Sequence, residues 1–236
     1  MKISVCIPMY NEKKIIADTA RELHKYMCDT FGNDFEILFS NDGSIDGCDK
    51  AVEELGLSNV KVVGYQKNRG KGCAVRHAIL ASRGEVVMFT DADLAYGVEV
   101  IGEAYAIMQK ENCDMLVGSR ALHKEGYEGY TFIRKLASKT YIKFLSIAGG
   151  FKLSDSQCGF KAFKRELAHN VFSKCETDGF AFDLEAILIA NKMNAKTYEM
   201  PVKIINHRES KVNVVSDAIK MLKETRRIKK RVKNIK

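Results

Sequence analysis

The sequence predicts an α/β fold, a mostly parallel central sheet flanked by helices in a single domain that ends in a basic helix. Three observations carry this. In the first half, short runs rich in Val, Ile and Phe alternate with helical patterns, as a parallel sheet with crossover helices requires. Runs such as VVMF at 86–89 are apolar without alternation, which fits strands covered on both faces. The ends of five predicted strands are all polar, and an open α/β sheet binds ligands at the carboxyl ends of its strands.

Taken in order, strands are expected at 2–8 (KISVCIP), 35–41 (FEILFSN), 60–66 (VKVVGYQ), 85–91 (EVVMFTD) and 114–118 (DMLVG). Helices are expected between them at 12–29, 46–56, 71–83 and 97–111. The second half is less regular. At 131–148 the residues Ile133, Leu136, Ala137, Thr140, Tyr141, Phe144 and Leu145 share one helical stripe, with Lys135, Lys139 and Lys143 as a basic ridge beside it. A strand follows at 158–163, a helix at 181–193 and a strand at 196–205, where Pro201 restricts it to an edge or a bulge. A basic helix at 214–233 ends the chain. The expected division is a domain over 1–206, then a loop and basic helix over 207–236.

Composition narrows the class. Of the 236 residues, 46% are hydrophobic and 29% charged, enough for a real core and too mixed for a disordered chain. No uncharged apolar run approaches the roughly 18 residues of a spanning helix, and the N-terminus reads as a buried strand rather than a signal peptide. The seven cysteines are widely spaced, odd in number and without C-x-x-C, which argues against a disulfide framework or a cysteine zinc site and for a reducing cytoplasm. The net charge of +8 belongs to the tail: from His207 onward there are 11 Lys plus Arg against 3 Asp plus Glu, leaving 27 of each sign before it. A basic end of this kind suits an anionic surface. A nucleic-acid binder is not expected, because the basic residues are not spread over a face and the strand ends carry carboxylates.

The chemistry sits at those strand ends. They hold Pro8, Tyr10, Asn11 and Glu12; then Asn41, Asp42, Gly43, Ser44 and Asp46; then Asn68, Arg69, Gly70, Lys71 and Gly72; then Asp91, Ala92 and Asp93; then Ser119 and Arg120. Asp91 and Asp93 form a D-x-D after a buried strand, two hard-oxygen ligands for a divalent ion that leaves room for substrate phosphates. The segment 70–75 (GKGCAV) nearly matches G-x-G-x-x-G but has Val75 at the last position, and it lacks the K-[ST] ending of a P-loop. Arg69, Lys71 and Arg76 gather around these glycines, and a pyrophosphate neighbour would account for them.

Four segments together resemble a known family. P-x-Y-N-E at 8–12, N-D-G-S-x-D-G at 41–47, N-R-G-K-G-x-A-x-R at 68–76 and the D-A-D at 91–93 are similar to family 2 glycosyltransferases of the GT-A fold, over residues 3–213. DSQCGFK at 155–161 and FAFDLE at 180–185 resemble the dolichyl-phosphate β-glucosyltransferase branch of the polyprenyl-phosphate sugar transferases.

The resemblance implies a nucleotide-sugar donor bound by Pro8, Tyr10, Asn11, Glu12, Asp42, Lys71, Asp91 and Ala92, and Mg2+ or Mn2+ at Asp91 and Asp93. It implies that Arg120, Arg134, Ser138, Arg208 and Lys211 receive the phosphate of a polyprenyl phosphate acceptor, with Asp91, Asp93 and Arg120 carrying catalysis. Arg134 and Ser138 are four apart and share a helix face. A phosphate monoester has a second pKa near 6, about that of other phosphomonoesters, so it is already a nucleophile at neutral pH and needs no strong base. Direct attack inverts the anomeric centre. A hydroxyl acceptor on a soluble or glycan substrate would need a base, and Asp183 or Glu185 are the candidates, against a plain role near a helix start. The helix at 131–148 and the tail at 214–236, with Ile219, Met221, Leu222, Ile228 and Val232 giving partial amphipathicity, are expected to meet an anionic membrane peripherally on its cytoplasmic face.

Overall fold

The computed structural model describes residues 1–127, 150–206 and 214–235. Seven strands, β1 (Ile3–Met9), β2 (Phe35–Asp42), β3 (Val60–Tyr65), β4 (Val86–Phe89), β5 (Met115–Ser119), β6 (Lys161–Lys164) and β7 (Thr197–Pro201), form one sheet in the order β3-β2-β1-β4-β6-β5-β7. All pairings are parallel except those of β6, which runs antiparallel to both β4 and β5. The chain builds outward from β1 through β2 to β3 and then returns to place β4 on the other side of β1. The crevice between β1 and β4 is therefore the topological switch point.

Period-two alternation divides the core cleanly. Ile3, Val5, Ile7, Phe35, Ile37, Phe39, Val86 and Met88 face one layer of helices, α1 (Lys13–Phe31), α2 (Cys48–Glu53) and α4 (Glu99–Glu111). Cys6, Leu38, Val87, Phe89, Met115 and Phe163 face the other, made of α3 (Lys71–Ala81), α5 (Arg165–Phe172), α6 (Phe182–Lys192) and α7 (Val214–Asn234). On this second side Phe89, Phe163, Phe172 and Phe182 meet at centroid distances from 5.6 to 6.5 Å. Each is fully buried, a contribution of about 2–3 kcal/mol per ring. Because α6 is wrapped by the sheet, α5 and α7, nine of its eleven residues are buried.

The expected elements are present with ends moved by a few residues, and Pro201 does close an edge strand. Two features differ. Residues 165–172 form α5, which the sequence reading left unassigned, and the strand expected at 158–163 pairs as β6 over Lys161–Lys164. The helix expected at 131–148 lies outside the described residues. The tail helix is also more than a solvated appendage. Ile228 and Val232 pack into the core, and Lys192 of α6 donates to the carbonyls of Val232 and Lys233 at 3.0 and 2.8 Å. These two apolar residues are thus spent on the protein and are not free to enter a bilayer.

Candidate active site

The loops after β1 and β2 are stapled to each other. Asn11, in the left-handed region at φ 54, donates its backbone N–H to Ser44 Oγ at 3.0 Å and accepts from the Ile45 N–H at 3.0 Å. The Lys13 N–H donates to Asp46 Oδ2 at 2.9 Å, and Asn41 Oδ1 accepts from the Ser44 N–H at 2.8 Å. Pro8 and Glu12 are half-buried, while Tyr10 and Ile45 are exposed at the rim, at 44% and 92%. The exposed Tyr10 ring beside these polar turns offers a face on which a planar group can stack.

Asp42 closes β2 and is buried. Its carboxylate accepts from Tyr65 Oη at 2.7 Å, Asn68 Nδ2 at 2.9 Å and the N–H groups of Arg69 and Gly70 at 2.8 and 2.9 Å. Burial, followed by hydrogen bonding to Cys73 and Asp42, pushes the Tyr65 phenol far above its ordinary range, so it remains a donor. Asp42 thereby fixes the path of 68–70 into α3. Its carboxylate is engaged by the protein itself.

Asp91 and Asp93 stand half-exposed at the carboxyl end of β4, at the switch point. Lys71, the first residue of α3, forms an ion pair with Asp91. Burial works against the charge on Lys71, and Asp91, Asp183 and Asp93 together outweigh it and raise its ammonium above the ordinary value. Asp93 Oδ1 accepts from the Ala95 N–H at 3.2 Å. The turn is held in a strained shape: buried Leu94 sits at φ 46, which bulky residues adopt rarely. Thr19 Oγ1 donates to the Ala92 carbonyl at 2.7 Å, and Asn206 donates to the carbonyls of Asp93 and Leu94 at 3.2 and 3.1 Å. Opposite Asp91 lies Gly159, where a Cβ would press into the carboxylate. Its N–H donates to Tyr96 Oη at 3.2 Å.

Arg120 departs from the sequence expectation. The resemblance implies a receptor for the acceptor phosphate, and the structure turns the side chain inward: it is 8% exposed and its Nε and Nη2 bind Asp155 at 2.6 and 2.9 Å. Asp155 is wholly buried and needs this countercharge. Burial opposes the guanidinium charge, and Asp155 restores it. Its Cζ also lies 5.7 Å from the Tyr127 ring centroid. Arg120 thus anchors the segment that delivers Gly159 to Asp91.

The gathering of Arg69 and Arg76 has an internal cause. Both bind Asp178, at 2.9 and 2.5 Å, and Lys71 binds Asp91, so the three cations need no pyrophosphate to explain them. Asp183 pairs with Lys161 at 2.6 Å, and Lys161, fully buried, also donates to the Cys158 carbonyl at 2.7 Å. Burial pushes the Asp183 carboxyl up against the pull of Lys161 and Lys71. Sequence reasoning did not single out Gly159, Asp155, Lys161 or Asp178 as parts of the site. The first three lie in DSQCGFK, whereas Asp178 carries no local signal. Arg134, Ser138, Arg208 and Lys211 lie outside the described residues.

A mostly parallel sheet with two carboxylates at its switch point and a lysine beside them is the architecture of a GT-A glycosyltransferase. Residues 4–172 match Glycosyl transferase family 2, and the chain belongs to that family. It is 30% identical to a dolichyl-phosphate beta-glucosyltransferase of Dictyostelium discoideum over 96% of this chain and 73% of that protein. It is 30% identical to the dolichyl-phosphate beta-glucosyltransferase of Saccharomyces cerevisiae over 94% and 72%. Among solved structures it is similar to glucosyl-3-phosphoglycerate synthase from Mycobacterium tuberculosis in complex with Mn2+, UDP and glucosyl-3-phosphoglycerate. There the TM-score is 0.70 at 17% identity, covering 95% of this chain and 79% of that one. Mannosyl-3-phosphoglycerate synthase from Rubrobacter xylanophilus gives a TM-score of 0.67 at 18% identity over 100% and 76%. These structural likenesses show the fold.

Proposed function

We propose that this enzyme transfers glucose from UDP-glucose to a polyprenyl phosphate with inversion, at a donor site built on Asp91 and Asp93. The pair of half-exposed carboxylates at the β1/β4 switch point is the observation that carries the reading. The names of the relatives support glucose as the sugar and a dolichyl-type phosphate as the acceptor. A divalent metal fits here: both ligands are hard, half-exposed oxygens, and among the described residues no third metal-ligating side chain clusters with them, so the remaining positions would fall to substrate oxygens. Mg2+ or Mn2+ held by Asp91 and Asp93 would neutralise charge developing on the diphosphate leaving group.

The protein's own residues do the rest. Tyr10, with Pro8, Asn11 and Glu12, lines the nucleoside end, and Asp42 shapes it by holding 68–70. Lys71 and Ala92 border the diphosphate. An acceptor phosphate oxygen attacks the anomeric carbon, the bond from that carbon to the UDP oxygen breaks, and UDP leaves with the electron pair. No base is required, because the phosphate is mostly ionised at neutral pH. Two observations support this. Asp183 is ion-paired with Lys161, and Glu185 is fully buried while accepting the N–H groups of Glu176 and Thr177 at 3.1 and 2.7 Å. The acceptor phosphate is assigned to Arg134, Ser138, Arg208 and Lys211 on the family resemblance, and Arg120, bound to Asp155, is a positioning residue.

Among the described residues no helix is long and apolar enough to cross a membrane. The lipid is reached peripherally, and the exposed residues Arg226, Arg227, Lys229, Lys230 and Lys233 of α7 favour an anionic surface by about 1 kcal/mol each. The seven free cysteines support the reducing, cytoplasmic face. The test is lipid extraction: purified protein, Mg2+ or Mn2+, labelled UDP-glucose, UDP-galactose, UDP-GlcNAc or GDP-mannose, and polyprenyl phosphate in vesicles. Label entering the organic phase from UDP-glucose, and lost in Asp93→Ala, is expected. Metal-dependent donor binding without lipid label would overturn the lipid acceptor and point to a soluble or glycan one.

A further inference from the structure

We infer that Arg231 in the C-terminal helix is a positioning residue for the donor site, acting through the loop 176–178 on the segment that presents Lys71. The inference rests on the donor reading above for its catalytic consequence, and on geometry alone for the coupling.

The contacts form a continuous chain. Arg231 ion-pairs with Glu185, and donates to Glu176 Oε2 at 3.2 Å and Thr177 Oγ1 at 3.0 Å. Glu185 divides its carboxylate between two tasks. Oε1 meets Arg231, and Oε2 accepts the backbone N–H groups of Glu176 and Thr177. The loop so held then grips the start of α3. The Asp178 carbonyl accepts from the N–H groups of Gly72 and Cys73 at 2.8 and 3.3 Å, two donors that a helix N-terminus leaves open. The Asp178 carboxylate binds Arg69 and Arg76 on either side of them.

The two glycines that flank Lys71 show how close the grip is. A Cβ on Gly70 would stand 2.6 Å from the Asp178 carbonyl oxygen, and one on Gly72 would stand 2.5 Å from the Thr177 carbonyl oxygen. G-K-G is thus read by the loop's backbone, and Lys71 between the glycines is left pointing at Asp91. Removing Arg231 leaves Glu185 fully buried without its cation and takes two side-chain anchors from the loop. The helix that carries the basic face toward a membrane therefore also sets the rigidity of the donor end.

The experiment compares wild type with Arg231→Ala, Arg231→Lys, Thr177→Val and Asn234→Ala. Thr177→Val removes one hydrogen bond without stranding a buried charge, so it keeps the test open if Arg231→Ala fails to fold. UDP binding in Mn2+ and the KM for the donor are read beside the KM for polyprenyl phosphate. Amide exchange at Gly72 and Cys73 is read beside exchange in β1 and β2. Arg231→Ala is expected to weaken UDP binding at least about tenfold, within the range of ordinary site-to-site coupling, with the acceptor KM little changed. Arg231→Lys is expected to recover part of it, Thr177→Val to give a smaller change of the same sign, and Asn234→Ala, exposed on the same helix, to give none. Exchange should rise at 72 and 73 but not in the strands. Unchanged exchange there in Arg231→Ala or Thr177→Val would overturn the coupling. Wild type that binds no UDP, with exchange still responding, would overturn the donor reading and leave the coupling standing.

Discussion

Gly159→Ala isolates the carboxylate geometry from the fold. Gly159 is not in the left-handed region, so alanine meets no backbone strain there. Its Cβ would stand 3.1 Å from Asp91 Cγ and nearer still to Oδ2, inside the 3.4 Å at which ordinary contact begins. The carboxylate must retreat by about 1 Å, and Lys71 on its other oxygen resists a simple rotation. A displacement of about 1 Å at reacting groups costs about 10²-fold in rate, near 2.7 kcal/mol of transition-state stabilisation. The variant should therefore keep its melting temperature within a few degrees and lose about two decades of kcat/KM for glycosyl transfer. Metal-dependent UDP binding should weaken with it. If Gly159→Ala kept more than a third of wild-type kcat/KM while folded, the packing of Gly159 on Asp91 would have no part in catalysis.

Other perturbations read other parts of the site. Lys161→Met leaves buried Asp183 without its partner and should destabilise by about 3–5 kcal/mol in urea unfolding, whereas Lys161→Met with Asp183→Leu should recover most of it. Partial burial works against the Asp178 charge, but hydrogen bonds from Arg76 and Arg69 outweigh it and hold the carboxyl below the ordinary aspartate value of 3.8. The folded-state value is depressed, so this stabilisation is complete above about pH 4 and is lost as pH falls below it. Asp178→Asn should flatten that acid limb of a stability–pH curve. Burial pushes the Cys158 thiol up to about 11, so native protein at pH 8 should resist alkylation there, with Cys28, half-buried where the other six are buried, the first to react in a mass-resolved time course.

The sheet was legible because its signals are local. Ile3 to Met9 and Phe35 to Asp42 are apolar runs long enough to declare themselves, and their alternation with helical patterns fixes a parallel order. β6 was harder to read. Four residues, one of them the buried Lys161, give no direction, and the antiparallel pairing comes from the two strands that flank it. Helix α5 buries only Ala168, Val171 and Phe172, a pattern barely longer than one turn.

The site divides along the same physical line. Asp91 and Asp93 were legible because their neighbour in sequence, a wholly buried strand, forces them to its mouth. Arg69, Lys71, Arg76 and Arg120 were legible as charges at strand ends, but not by their direction. A cation beside a glycine turn looks the same in sequence whether it faces a substrate phosphate or an internal carboxylate. The partner decides, and here Asp178 lies 109 residues from Arg69 and Asp155 lies 35 from Arg120. Such pairings arise only once the sheet has brought distant loops together. This turns four apparent phosphate ligands into a scaffold in which one, Lys71, still borders the Asp91–Asp93 pair. The cost of that scaffold is concentrated in buried charges, Asp155, Lys161 and Glu185, each compensated by a residue from another element. Substitutions at those compensating residues should therefore lower stability and donor affinity together, while substitutions at the exposed basic face of α7 should leave both intact and change only attachment to anionic vesicles, in a manner that rising salt abolishes.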